Sequence, residues 1–464
     1  MKQALQVRTL VAIFSIVFLF ATNAMAQSPG AVSTVREISN AGNVYTQKIA
    51  VLNTDTTVIL SQASDQSHYD FYLVDENAVV VSHAEIPSNY VVLDFKILED
   101  TIYFCGQVAN EELVQGFVAR AGTSDLFFNA NFDWDVIQTT LVIDKIEVYH
   151  NPDNLRIQIV GIGRDMDGTS LFVHCDESAS WNYDIYKSYN QTEIFDDICL
   201  RQCPGFYPHL FDVFIAGRSD NNERMVVRKI FMNNFTTSFN AYYDLYAGYQ
   251  ATLPYPIVLD SFSYRTIAIA GIINAASGVE RTNVFTIDIS APVVALTFYL
   301  RQIQSYGSYN KGEAVIRDLM FDTVGTNDRL IVLEDAQTSI NPNVLSSLYV
   351  LVPHTATVTT YNADVFYSSI SGTNYPFNSL TRFAPYDFVV AGINPKTQKV
   401  ATWRGDRSSL NGNCNLLINE QVNVDNSPSS FENIEPLDNI YTGTINWQFE
   451  QPANDTNSIN TICN

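Results

Sequence analysis

Acidic residues return at a regular place in this 464-residue chain: Asp94, Asp144, the pair Asp196 and Asp197, Asp260 and Asp318. Three chemistries are open to carboxylates repeated in this way. A ring of oxygens would hold a hard cation such as Ca2+, which takes about 6–8 oxygen ligands. Two carboxyl groups at a fixed separation would do the acid/base work of glycoside hydrolysis. Each Asp would otherwise accept backbone N–H bonds and tie one structural unit to the next. Recurrence once per unit favours the third reading, because equivalent positions serve equivalent structural needs; the other two stay open.

A second chemistry is aromatic. Tyr189, Tyr249, Tyr309 and Tyr375 stand in connections rich in Gly, Ser and Asn, such as SYGSYNKG (Ser305–Gly312) and SSISGTNYPFN (Ser368–Asn378). Tyrosine offers a large contact area at low entropic cost, and its small polar neighbours adapt to a partner. These four residues are the candidate ligand-binding set, for a protein or a glycan. The rival reading is that tyrosines merely cover exposed outer strands.

Other groups point nowhere specific. Six histidines are scattered, and no serine elbow, metalloprotease helix or phosphate loop is present. Asp165-Met166-Asp167-Gly168 resembles half of a calcium loop but lacks its closing Glu, and reads as a polar hairpin turn. Six cysteines suit an oxidising compartment. Cys199 with Cys203 would close a tight loop, and Cys414 with Cys463 would staple the C-terminal tail. A zinc site at Cys199 and Cys203 lacks a second ligand pair, so no metal site is expected.

The elements that must position these groups are strands. Seven times an apolar strand is followed by a turn and a second apolar strand, which usually ends in glycine: TIYFCG (Thr101–Gly106), LRIQIVGIG (Leu155–Gly163), FDVFIAG (Phe211–Gly217), TIAIAG (Thr266–Gly271) and YDFVVAG (Tyr386–Gly392), with TTVILSQAS (Thr56–Ser64) and RLIVLEDA (Arg329–Ala336) lacking it. Anchoring each unit on its first strand gives Val51, Leu93, Ile143, Phe195, Leu259, Ile316 and Leu380. Each interval holds four runs of β-branched and aromatic residues between turn signals, and that is strand chemistry.

The pattern is similar to seven-bladed β-propellers in general, over residues 45–420. It lacks the Trp-Asp signature of the WD repeat and the double glycine of the kelch repeat. The resemblance implies an all-β propeller of seven four-stranded blades, with both faces of each blade buried. The glycines would then mark converging inner strands, where φ > 0 or close backbone approach is needed. Two packed β-sandwiches are the alternative architecture.

The ends add a compartment. Residues 1–26 read as an export signal: Lys2 and Arg8, an apolar Leu10–Ala21 and the small-residue site Ala24-Met25-Ala26. No later segment approaches the roughly 18 apolar residues of a membrane span. The remaining segments are a lead-in (27–44), the propeller (45–420) and a ring-closing strand with tail (421–464). With 26 basic and 49 acidic residues and a net charge of −23, nucleic acid is excluded as an expected partner. The expectation is an exported bacterial binding protein of the periplasm, cell surface or medium. A carbohydrate-active enzyme using the repeated carboxylates, or a structural subunit of an envelope assembly, is the alternative.

Overall fold

Strand after antiparallel strand, the computed structural model describes the chain between residues 34 and 450, with breaks at the longer connections, among them 203–210, 245–250, 289–298, 304–314, 336–345, 352–359 and 406–414. Each of the first six repeats folds into four consecutive antiparallel strands. The seven innermost strands are Val44–Val51, Tyr90–Leu98, Val142–His150, Ile194–Gln202, Val258–Ser263, Val315–Val324 and Phe377–Phe383. Each touches the next, and the last touches the first. That closed cycle makes the molecule a β-propeller, not a pair of sandwiches.

The hydrophobic core lies between blades. Phe71 of repeat one packs edge-on against Phe95 and Phe104 of repeat two, with ring centroids 5.3 and 5.4 Å apart. Similar clusters join repeats two and three around Ile143 and Val173, three and four around Phe172 and Phe195, and seven and one around Val389 and Ile59. A strand covered on both faces has no polar side to alternate with, so Thr57–Ser61 and Ile159–Ile162 are buried without a break.

Every inner strand carries a register shift. The residues flanking it are Thr46/Lys48, Val92/Asp94, Ile143/Lys145, Phe195/Asp197, Ser261/Ser263, Ile316/Asp318 and Phe377/Ser379. A bulge of this kind bends the strand and re-aims its side chains. It also explains the glycines. A Cβ on Gly106, Gly163 or Gly217 would come to 1.9–2.1 Å from the carbonyl oxygen of Val91, Val142 or Ile194. Close backbone approach is therefore the reason, and positive φ plays no part at these three positions. The bulges also displace the sequence anchors: Leu259, Ile143, Phe195 and Ile316 sit before the shift, Leu93 is the bulged residue itself, and Val51 and Leu380 lie past it.

Ring closure corrects an expectation. The fourth strand of repeat seven comes from the N-terminal lead-in: Thr34–Glu37 pairs with Lys399–Gly405, Thr34 opposite Arg404. The C-terminal segment does not close the ring but runs round its outside. Asn415–Asp425 pairs with the outer strands of repeats five and six, Phe431–Asn433 with that of repeat four, Asp438–Ile445 with repeat three and Gln448–Glu450 with repeat two. Because Asn415–Asp425 bridges two repeats, the hydrogen-bonded sheets among the described residues number six, where seven separate sheets were expected, and several have five strands. This outer belt satisfies edge strands that would otherwise face solvent with unpaired backbone groups.

Candidate functional site: the charged hub

At the residue just after the bulge (in repeat five at Asp260, which precedes it), side chains turn toward the neighbouring repeat, and there the recurrent carboxylates meet lysines. Lys48 Nζ donates to Asp94, and Lys145 Nζ donates to Asp197 at 2.7 Å. Two residues further along the same strands, Lys96 Nζ donates to Glu147 at 2.5 Å. The free oxygens reach backbone amides across the interfaces. Asp94 accepts from Ile146 N (3.0 Å), Asp197 from Leu259 N (2.7 Å), Asp260 from Phe321 N (2.7 Å) and Asp318 from Leu380 N (2.8 Å). Ser379, at the equivalent position in repeat seven, accepts from Ile49 N of repeat one at 3.2 Å. Counted round the ring, all seven interfaces carry one of these ties.

Charge and burial compete here, and the outcome differs by residue. Burial works against an ionised Asp94, but Lys48 and Lys96 outweigh it and hold its carboxyl below the usual range. For Lys96 burial is again the larger effect and disfavours the charge, yet Glu147 and Asp94 together raise it above the ordinary lysine range. Lys145 is raised in the same way by Asp197. Glu147 and Asp318 are pushed up by burial, which their partners only partly offset.

Asp144 behaves differently from its sequence siblings. It is the bulged residue itself, so it points away from the hub and is forked by Arg164, whose side chain is 53% exposed, at 2.8 and 2.9 Å. Asp196 repeats this arrangement with Arg218 at 2.7 and 2.9 Å. Of the five carboxylates expected together, Asp94, Asp197, Asp260 and Asp318 form inter-repeat ties, and Asp144 does not.

This geometry bears on the chemistry. A glycosidase pair needs one carboxyl free to hold a proton over substrate and another free to act as base or nucleophile. In Asp94, Asp197 and Asp318 both oxygens already accept bonds from the ring itself. A hard cation would need those same oxygens, and Lys48, Lys96 and Lys145 already supply positive charge among them. The lysines and Ser379 are not evident in the sequence, because the recurrent position is marked there by its acids. For Lys145 and Ser379 the signal is positional, since each stands two residues past the one paired with the second-strand glycine, as Asp94 and Asp197 do.

The other candidates resolve as follows. Asp165 heads a hairpin turn, with its Oδ1 accepting from Asp167 N and Thr169 N and Gly168 at φ +80°. Cys199 is buried on the inner strand of repeat four, opposite Phe214. Cys203, Cys414 and Cys463 lie outside the described residues, as do Tyr189, Tyr249, Tyr309 and Tyr375. A pocket of about 450 Å3 opens between repeats two and three, lined by Tyr103, Arg120, Asp125, Asn129 and Asp135, with Arg120 Nε bonded to Asp135 at 2.9 Å. Among the described residues, no helix is long and apolar enough to cross a membrane.

No known protein family matches the chain, and no curated protein matches it. Among solved structures it is similar to one from a structural and mechanistic study of two prolyl endopeptidases, at 11% identity and a TM-score of 0.37. The match covers 78% of this chain and 50% of the other, so the chain spans half the length of that structure. A likeness at that level carries nothing about activity.

Proposed function

We propose that this chain is an exported binding protein of the bacterial envelope or surface, engaging a protein or glycan through the Tyr/Asn-rich connections on one face of the ring. One observation supports the reading above the others: the hub carboxylates are occupied in holding repeat to repeat. The connections on the rigid ring are then the place where binding chemistry concentrates. In sequence the four tyrosines fall between the fourth strand of one repeat and the first strand of the next. Export rests on the signal-like residues 1–26.

The test is capture by the immobilised mature domain, from envelope extract in one arm and from a glycan panel in the other. The comparison is the triple variant Tyr249→Ala/Tyr309→Ala/Tyr375→Ala, checked for native circular dichroism. Loss of capture by the variant is the expected result. An unchanged affinity for every captured partner would remove this face from consideration.

A further inference from the structure

The first repeat carries a second cluster of ionisable groups, on its third and fourth strands and taking no part in the hub ties. His68 precedes the third strand, Tyr69–Asp75, and Asp70 lies within it; Glu85 lies on the fourth strand, Val80–Ile86, directly opposite Asp70. The ligand-capable atoms of His68, Asp70 and Glu85 all lie within 4.8 Å of one another. Asp70 is 5% exposed. Like charges directly opposed on antiparallel strands destabilise the pairing, the more so where one is buried. A positive group between them, or a proton on one carboxyl, relieves that repulsion.

The hydrogen bonds around His68 say what faces the carboxylates. Ser67 Oγ gives its single proton to Asp65 Oδ1 at 2.6 Å. Its oxygen therefore accepts from His68 at the 2.8 Å contact with Nδ1, which places the ring proton on Nδ1. In the neutral ring, Nε2 then presents a lone pair to Asp70 Oδ2 at 3.5 Å. Three acceptors converge. A proton on His68 would satisfy Asp70 but leave Glu85 opposed to it, whereas a divalent cation would engage all three.

From this geometry we infer that His68, Asp70 and Glu85 form a binding site for a divalent transition metal of the Zn2+ type, on the first repeat. Mixed imidazole and carboxylate donors suit Zn2+. Metal–ligand bonds of about 2.0–2.1 Å in a tetrahedron set ligand atoms roughly 3.4 Å apart. The 3.5 Å between His68 and Asp70 matches that edge, and half-buried Glu85 needs only a side-chain adjustment to complete the face. A fourth position is left for water or a ligand group. Asp65 and Ser67 act as the outer shell that fixes the imidazole, and Tyr72, which donates its hydroxyl to Asp70 Oδ2 at 3.3 Å and stacks on His83, supports the carboxylate. The strand face that carries Asp70 also carries Tyr72, which packs against repeat seven, so the metal would sit beside the seam where the ring closes.

The test uses the full mature chain, stripped with chelator and titrated with Zn2+ by equilibrium dialysis and calorimetry, with Co2+ as a spectroscopic substitute. A single equivalent of Zn2+ and the visible bands of tetrahedral Co2+ are expected. Binding should be abolished by His68→Ala, weakened by the conservative Glu85→Gln, and weakened about 10–100-fold by Ser67→Ala, which removes only the outer shell. Asp165→Asn, in a comparable turn of repeat three, should bind like the wild type. Absence of bound Zn2+ at micromolar metal, or the same stoichiometry and affinity in natively folded Glu85→Gln and His68→Ala, would overturn the assignment.

Discussion

Asp197 and Asp144 occupy neighbouring positions in sequence logic and opposite ones in space, and this yields a sharp comparison. Asp197 accepts from Lys145 Nζ (2.7 Å), Ile198 N (3.0 Å) and Leu259 N (2.7 Å). Asp197→Ala leaves Lys145 of repeat three and the Leu259 N–H of repeat five without that acceptor. A hydrogen bond to a charged group contributes about 1.5–3 kcal/mol, so losing the two that span interfaces costs about 3–6 kcal/mol. Removing one partner of a buried pair costs about 3–5 kcal/mol by a separate route. Lys145 keeps 35% of its side chain exposed. Water regains part of its charge, so the expectation settles at about 3 kcal/mol. Asp144→Ala breaks a pair whose arginine is 53% exposed, and solvent-facing pairs contribute about 0–1 kcal/mol. Urea unfolding followed by tryptophan fluorescence reads the contrast as a shift in midpoint at constant m. Equal shifts for the two variants, or a larger one for Asp144→Ala, would refute the assignment of Asp197 to the ties and Asp144 to the periphery.

Two further outcomes follow from the same structure. Asp94 titrates below its unfolded value of 3.8, so its contribution to stability is complete above that pH and is lost as pH falls through the lower folded value. The stability gap between wild type and Asp94→Asn should narrow below pH 3.8, and a gap that stays constant into acid would contradict the linkage. Deleting residues 411–464 should bare the outer strands of repeats two to six and produce concentration-dependent light scattering with a lower unfolding midpoint. A truncated chain that stays monomeric and melts like the intact one would show that the belt protects nothing.

Much of the ring was legible because burial writes itself into sequence. Second strands such as Ile267–Ala270 and Val389–Ala391 are enclosed on both faces, so their apolar runs recur whatever else drifts. The inner strands were harder to place. A bulge inserts a residue and turns the side-chain alternation over, which is why Leu93 looked like a core anchor and is 39% exposed. The closing strand Thr34–Glu37 is short and half charged, so its pairing left no apolar mark. The late strands of the belt read as ring-closing for the same reason: Asp438–Ile445 joins its neighbour through backbone bonds, and Tyr441 is 51% exposed, so nothing apolar marks which repeat each one meets. At the hub, Asp94 and Asp197 were found and Lys48 and Lys145 were not, since a periodic position can be filled by either sign. His68, Asp70 and Glu85 become neighbours only through strand pairing, and spacing along the chain does not reveal that.

The two ends of the chain impose an order on its assembly. Thr34–Glu37 is made before any of the repeats, yet its partner Lys399–Gly405 arrives only after the first six have been synthesised. The outermost strands come later still and retrace the circumference backward, from repeats six and five to repeat two. Pairings so distant in sequence form slowly, because the intervening chain must first be gathered in. The last stretch can therefore lie down only on a finished wheel, and its protection from proteases would serve as a built-in report that folding has run to completion.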